Sequence, residues 1–388
     1  MTTTTFAHYA DALITGTPLP YEITTKHGAD ASPYEVLRAL TPLHELRANG
    51  TFFTGQAMAE KLWGNALASL PDGGVIVDPT CGAGDLLLPA AVRSAGKNLT
   101  FRACDVQDVF ASVASARLQA VVSPNARVEG RAADFTADQS SVSDAAIVVL
   151  NPPFVTMKVN EPWASGNTNS AAWFALKAAQ AMPPGSRLLA VLPDVLRSGS
   201  RYTRWREHMT SEGRIVDIEL LGQFDERTDV DVFRLELEIG AEAEARPWIA
   251  TTRSETVVGD RFEVRVGPVV PHRDPEEGPL AEYITARSLS SGESMTRAFG
   301  GRLEQGPFVL IGRTSRPGQN PRVRAAYHAS SKPAAIENHL LIAKPKDGLE
   351  STCIELIKVL QSGETVSFLD DRIRCRHLTV RAVKEIPW

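Results

Sequence analysis

Gly74-Val75-Ile76-Val77-Asp78-Pro79-Thr80-Cys81-Gly82-Ala83-Gly84-Asp85 is an apolar, β-rich run that ends in an acid and opens into a glycine loop. A helical pattern over 85–95 follows it. This strand, glycine loop and helix is the arrangement that brings backbone close to a ligand at the carboxyl edge of a parallel sheet. Gly82 and Gly84 are expected to leave room for that ligand, and the helix to offer its N-terminus. A G-x-G alone also fits an ordinary tight turn. The strand before it is what raises its meaning.

Outward from this loop, short apolar runs alternate with helical stretches. Strands are expected at 74–78, 100–105, 127–129, 146–150, 187–192, 214–221 and 232–239. Helices are expected at 85–95, 108–122 and 170–182. Strands separated by helices predict an α/β domain with a mostly parallel sheet. The last two strands are nearly contiguous, which suits an antiparallel edge. Upstream, residues 1–32 read as polar and irregular, broken by Gly16, Pro18, Pro20 and Gly28. Helices are expected at 33–48, interrupted at Pro42, and at 56–70.

Three acids or amides end successive strands. Asp105 closes the second strand, 21 residues beyond Gly84, near the spacing of an acid that binds ribose hydroxyls. Asp134 ends a third segment and could accept from an adenine amine, with Phe135 as apolar cover. Each alone is equally an ordinary strand-end residue; their order favours a nucleoside. Asn151-Pro152-Pro153-Phe154 then follows the apolar strand Ala146–Leu150. Two prolines fix the backbone and remove donors. What remains is a rigid set of acceptors, the Asn151 side-chain oxygen and a main-chain carbonyl, suited to an exocyclic NH₂. Phe154 can stack on a planar ring. Trp163 falls in what reads as a loop after this motif. Trp63 and Trp173 read as core.

On these motifs the chain resembles the N6-adenine DNA methyltransferases related to the modification subunits of type I restriction systems. Asp78–Asp85 is similar to their S-adenosylmethionine loop and Asn151–Phe154 to their catalytic motif. Gly50-Thr51-Phe52-Phe53-Thr54 resembles the segment that helps hold the cofactor's methionine part. The family usually has Thr-Pro there, and this chain has Thr54-Gly55. The order of segments is that of the γ arrangement, and the resemblance covers about 50–240. It implies a Rossmann-like core that binds S-adenosyl-L-methionine through Phe53, Thr54, Asp78, Pro79, Thr80, Gly82, Gly84, Asp105, Asp134 and Phe135. Catalysis falls to Asn151, Pro152, Pro153 and Phe154, acting on an adenine flipped from duplex DNA. The same NH₂ logic serves methyltransferases of ribosomal RNA guanines or protein glutamines. A DNA-binding module with a degenerate core is a further alternative.

The composition shifts near 240–250. Residues 1–240 hold 20 Lys and Arg against 27 Asp and Glu, and residues 241–388 hold 21 against 19. The overall charge of −5 excludes a strongly basic chain but not a local basic face. We therefore expect an N-terminal segment over 1–50, a methyltransferase domain over 51–240 and a mixed α+β domain over 241–388. The last resembles the target-recognition domain of restriction specificity subunits, through strands at 306–311 and 339–342 and a helix at 350–361. Within it Arg313, Arg316, Arg322 and Arg324 form a candidate DNA-reading loop.

No apolar run is long enough for a membrane span. No secretory signal is visible, and the four cysteines lack C-x-x-C spacing. We expect a cytoplasmic protein with no metal site. No lysine has an acid two residues before it, so the Asp/Glu-x-Lys pattern common in restriction nucleases is absent. Cleavage would need a separate restriction endonuclease or defence-system subunit.

Overall fold

The computed structural model describes residues 5–388 apart from 29, 52, 226–227, 242–245, 250–253, 293–294 and 375. Phe52, quoted above, and Cys375, one of the four cysteines, therefore lie outside the described residues. The chain divides into two compact units, Met1–Trp248 and Ile249–Trp388.

The first unit carries strands β1 (Gly74–Asp78), β2 (Leu99–Asp105), β3 (Arg127–Ala132), β4 (Ala145–Leu150), β5 (Thr156–Glu161), β6 (Ala164–Asn169), β7 (Arg187–Pro193), β8 (Gly213–Asp225) and β9 (Thr228–Ile239). Among the described residues, seven of them form one sheet in the order β3-β2-β1-β4-β7-β9-β8. The pairs among β3, β2, β1, β4 and β7 are parallel. This is a Rossmann-like α/β fold. The chain runs outward from β1 to β3, then returns past β1 to begin β4. That reversal leaves a crevice at the carboxyl ends of β1 and β4, where such sheets bind ligands.

Alternation along the strands builds a core on each face. Ile76, Ile147, Val149, Leu189 and Val191 face one side, with Leu62, Trp63 and Leu118. Val77, Val148, Leu150, Leu188 and Ala190 face the other, with Phe174, Trp205 and Phe233. Trp63 is core as expected, its Nε1–H donating to the Leu86 carbonyl at 2.6 Å.

The last two strands form the expected antiparallel edge: β9 pairs antiparallel with both β7 and β8, and β8 is outermost. Other expectations change. Residues 5–28 are more regular than expected. They hold helices Phe6–Thr15 and Tyr21–His27, and three of the four breakers are caps: Gly16 closes the first helix in a left-handed conformation, Pro20 precedes the second and Gly28 closes it. The helix expected over 33–48 is interrupted at Pro42 as expected, into Pro33–Leu40 and Leu43–Asn49. That over 56–70 is α-helical only for Gln56–Trp63 and continues as a 3₁₀ turn. That over 85–95 shrinks to Leu88–Val92, because the glycine loop runs on in turns as far as Leu87.

The segment after Phe154 is a two-stranded hairpin, β5 with β6, rather than a loop. Trp163, at its turn, is 5% exposed and packs into the core with Val159 and Ala171.

The second unit contains β10 (Phe262–Val266), β11 (Leu280–Ile284), β12 (Met295–Ala298), β13 (Phe308–Gly312), β14 (Ala325–His328), β15 (Ala334–Ile336) and β16 (Leu340–Pro345). Its sheets run β10-β16-β13-β14 and β12-β11-β15. Helices Glu350–Gln361, Gly363–Arg372 and Val380–Lys384 supply Leu356, Leu360, Leu369 and Val383 to a core with Phe262, Val309 and Leu341. Among the described residues, no helix is long and apolar enough to cross a membrane.

Candidate active site

One pocket lies at the carboxyl ends of β1 to β4. It is lined by Phe53, Pro79, Thr80, Gly82, Asp105, Asp134, Phe135, Asn151 and Pro153 among the expected residues. Segments more than fifty residues apart thus converge on the crevice that the strand order creates.

Asp105 is half-buried at the end of β2. Its Oδ2 accepts from the Gly82 N–H at 3.0 Å and its Oδ1 from the Gln107 N–H at 2.9 Å. Burial pushes its carboxyl up from the ordinary range, and those N–H donors oppose the shift. Asp134 is the opposite case. It is exposed, and the Thr136 hydroxyl and N–H, both bonded to its Oδ1, hold its carboxyl below the ordinary range. The pocket therefore carries one half-buried acid tied to the glycine loop and one solvated acid whose ionised form is favoured.

Aromatic rings form the rest of the wall. Phe53 lies edge-on to Phe110, with centroids 5.2 Å apart, and Phe135 stacks on Phe174 at 5.8 Å. Phe110 and Phe174 line the pocket, and the sequence reading missed both. Each sits on a helix at core spacing, so nothing local separates it from a packing residue. The one available signal for Phe110 is its place in the first turn after the Asp105 strand end.

Other expected residues stand behind the pocket or beside it. Asp78 is 1% exposed. Its Oδ1 accepts from the Thr80 N–H at 3.0 Å, while Oδ2 is buried without a partner among the described residues. Burial pushes this carboxyl up to about 8. Gly84 does not line the pocket. A Cβ there would sit 2.9 Å from the Ala114 Cβ, so the missing side chain makes room for helix Asp108–Gln119 rather than for a ligand. The helix N-terminus at Leu88 is likewise not part of the lining, since the turns through Leu87 hold it back.

Thr54 lines a neighbouring cleft with Tyr34, Gly55, Gln223 and Phe224. It still reaches the site, because the Asn151 Nδ2–H donates to its Oγ1 at 2.8 Å. Ser170, in the first turn of the next helix, braces the Pro-Pro segment. Its hydroxyl donates to the Pro153 carbonyl and accepts from the Val155 N–H at 3.1 Å. Phe154 is half-buried and lies edge-on to Phe224, with centroids 5.7 Å apart. Phe224 reads as an ordinary strand residue in the sequence, and only the fold brings it there.

Gly55 adopts φ +72°, which proline cannot. Its N–H donates to Asp85 Oδ2 at 3.3 Å, and Arg117 donates to Asp85 Oδ1 at 2.8 Å. The Thr-Gly departure from Thr-Pro and the acid at 85 are thus one bracket.

In the second unit the four candidate arginines separate. Arg316 and Arg324 are exposed. Arg313 is half-buried and donates to the Asn338 carbonyl at 3.2 Å. Arg322 does not belong to a DNA-reading loop. It is 1% exposed and turned inward, paired with Asp370 and bonded to the Ile373 carbonyl. Among the described residues, no group of His, Cys, Asp and Glu could hold a metal ion.

No family model matches this sequence, and no curated protein matches it. Solved structures do. A protein from Listeria monocytogenes described as a class I S-adenosylmethionine-dependent methyltransferase is 15% identical, with 62% of this chain and 81% of that one covered at a TM-score of 0.42. The type IIG restriction endonuclease BpuSI is 13% identical, with 90% of this chain and 59% of that one covered at a TM-score of 0.48. The methyltransferase subunit of a type I restriction-modification system from Streptococcus thermophilus is 19% identical, with 49% and 45% covered at a TM-score of 0.39. The chain thus spans about half the length of the two restriction proteins.

Proposed function

We propose that this protein transfers a methyl group from S-adenosyl-L-methionine to the exocyclic N6 of an adenine flipped out of duplex DNA. The observation that carries this reading is the Asn151 amide. Its Nδ2 is engaged by Thr54, which leaves Oδ1 as the acceptor of an amide that lines the pocket beside Asp105 and Asp134.

The residues present fit the cofactor. Asp105 keeps lone pairs on both oxygens for ribose hydroxyls beyond its two N–H partners. Asp134, ionised, can accept from an adenine amine between Phe135 and Phe53. The orphaned Asp78 Oδ2 leaves one unpaired polar atom of a carboxyl that burial keeps protonated, available to a ligand beside the loop. When bound, S-adenosylmethionine supplies a sulfonium methyl that needs no metal activation.

The chain's own work is positioning. Asn151 Oδ1 and the Pro152 carbonyl accept the two amine hydrogens. This aims the nitrogen lone pair away from the ring plane and raises its nucleophilicity. The Pro153 carbonyl is held by Ser170, which locks the turn that presents its neighbour. Phe154, steadied edge-on by Phe224, stacks on the base. Neither Asn151 nor Pro152 can take a proton, so the amine proton leaves for solvent after transfer.

The unit Ile249–Trp388 is read as the target-recognition part, with Arg316 and Arg324 exposed to a polyanion. Any DNA cleavage falls to a separate endonuclease or defence-system subunit. The test is methyl transfer from labelled S-adenosylmethionine to unmethylated duplex DNA, followed by nucleoside analysis. Wild type should make N6-methyladenine, and Asn151→Ala should lose it by about 100-fold or more. Cofactor binding without a DNA product would overturn the DNA reading and favour an RNA or protein amide.

A further inference from the structure

The β5–β6 hairpin is stitched to the Asn151–Phe154 segment. The Ser170 N–H donates to the Val155 carbonyl at 2.8 Å, and the Ser170 hydroxyl takes the Val155 N–H. Its two faces differ sharply. Met157, Val159 and Ala164 point inward, and with the turn residue Trp163 they pack into the core, so the hairpin lies flat on its unit. Thr156, Lys158, Asn160, Ser165 and Asn167 point outward and are exposed. Lys158 is directly across from Asn167, and Asn160 from Ser165.

Two observations distinguish this face from ordinary solvated surface. It carries no acid, although residues 1–240 are acid-rich, with 27 Asp and Glu against 20 Lys and Arg. The hairpin's one acid, Glu161, is turned to the other face, where it pairs with Lys177 at 3.1 Å and accepts from Trp173 at 3.2 Å. The exposed Arg201 also lies against this rail and donates to the Asn167 carbonyl. Among the described residues, the side chains of Thr156, Lys158, Asn160 and Ser165 make no hydrogen bond or ion pair within the protein. Hydroxyls, amides and isolated cations of this kind are what hold a phosphate backbone in register without reading sequence.

We infer that this rail is the surface on which the DNA backbone flanking the flipped nucleotide rests. It rests on the reading of DNA as the substrate. Its place directly after the Asn-Pro-Pro-Phe segment means that register set here fixes where the target base leaves the stack.

The experiment measures binding of a fluorescent duplex at about 50 and about 200 mM salt, in the presence of S-adenosylmethionine. Wild type is compared with Lys158→Ala/Asn160→Ala/Asn167→Ala and with Lys158→Glu. The single exposed change guards against loss of fold in the triple variant. Duplex affinity should fall about tenfold in the triple variant, and the salt slope should fall by about one. Lys158→Glu should weaken binding at least as much as removal of the charge, with cofactor affinity unchanged in both. Wild-type duplex affinity in both variants would overturn the rail, whatever the methylation result. A wild type that binds no duplex would overturn the rail and the DNA reading together. Variants that weaken duplex binding, with no N6-methyladenine from wild type, would uphold the rail and overturn only the methyl-transfer reading.

Discussion

Asn151 and Thr54 lie 97 residues apart in the chain, and the Asn151 Nδ2–H donates to Thr54 Oγ1 at 2.8 Å. An asparagine amide can present either oxygen or nitrogen to a ligand, and the two ends do opposite jobs. A threonine hydroxyl can both give and take a hydrogen bond. Here it takes one from Nδ2, which leaves Oδ1 as the acceptor end of an amide that lines the pocket.

Thr54→Ala should therefore lower kcat about tenfold, roughly 1.4 kcal/mol, by letting the amide rotate. Thr54→Ser keeps the hydroxyl and should recover most of the rate. The KM for S-adenosylmethionine should change little in either. Steady-state kinetics with both substrates varied would check this. A loss that appears in the cofactor KM alone would mean that Thr54 acts on the cofactor.

Gly55→Pro introduces the residue usual in the methyltransferases that the sequence resembles, but it is incompatible here. The backbone sits at φ +72°, and the Gly55 N–H bonds to Asp85. Forcing φ negative and deleting the donor should cost about 2 kcal/mol or more. Gly55→Ala keeps the N–H and should cost about 1 kcal/mol from φ alone. Urea unfolding of the three proteins would rank them. Equal stability of wild type and the proline variant would show that the bracket with Asp85 and Arg117 is not needed.

Asp78 makes stability depend on pH in the direction opposite to most carboxylates. Burial raises its folded value to about 8, from an ordinary 3.8. The folded protein thus holds a proton that the unfolded chain releases. This contribution is fully present below pH 3.8 and is lost as pH rises through about 8. Asp78→Asn should flatten that slope and raise the melting temperature of the cofactor-free protein at pH 8 to 9, while weakening cofactor binding. Thermal melts across pH 5 to 9 would show it. An unchanged slope in the variant would assign the pH dependence to other groups.

Two arginines from one loop should behave in opposite ways. Removing Arg322 deprives the Asp370 carboxylate of its buried cation, leaving it the Gly318 N–H, and strips the Ile373 carbonyl of a donor, so Arg322→Ala should cost about 3 kcal/mol. Arg316 is exposed, and Arg316→Ala should leave stability unchanged while weakening duplex binding several-fold. Denaturation and DNA titration of the same two variants would separate the effects.

What was legible in the sequence was local. The runs Gly74–Asp78, Ala146–Leu150 and Arg187–Leu192 are apolar along their length because both faces of a central parallel strand are covered. That reading needs no knowledge of neighbours. The stops after them, Pro-Thr-Cys-Gly and Asn-Pro-Pro, act through φ and missing donors, which are also local properties. From these the sheet and its binding edge follow, and with them Asp105, Asp134 and Asn151 as strand-end groups.

Tertiary structure alone decided where side chains point and which distant groups they meet. Gly84 reads as room for a ligand but serves Ala114 on another helix. Arg322 reads as part of a basic loop but is buried against Asp370. Phe224 meets Phe154, and Thr54 meets Asn151, through segments far apart in the chain. Backbone preference is set within a few residues, so sequence alone determines the elements and their edges. Whether a polar side chain faces solvent, ligand or another side chain depends on packing across the whole unit, which one stretch of sequence does not contain.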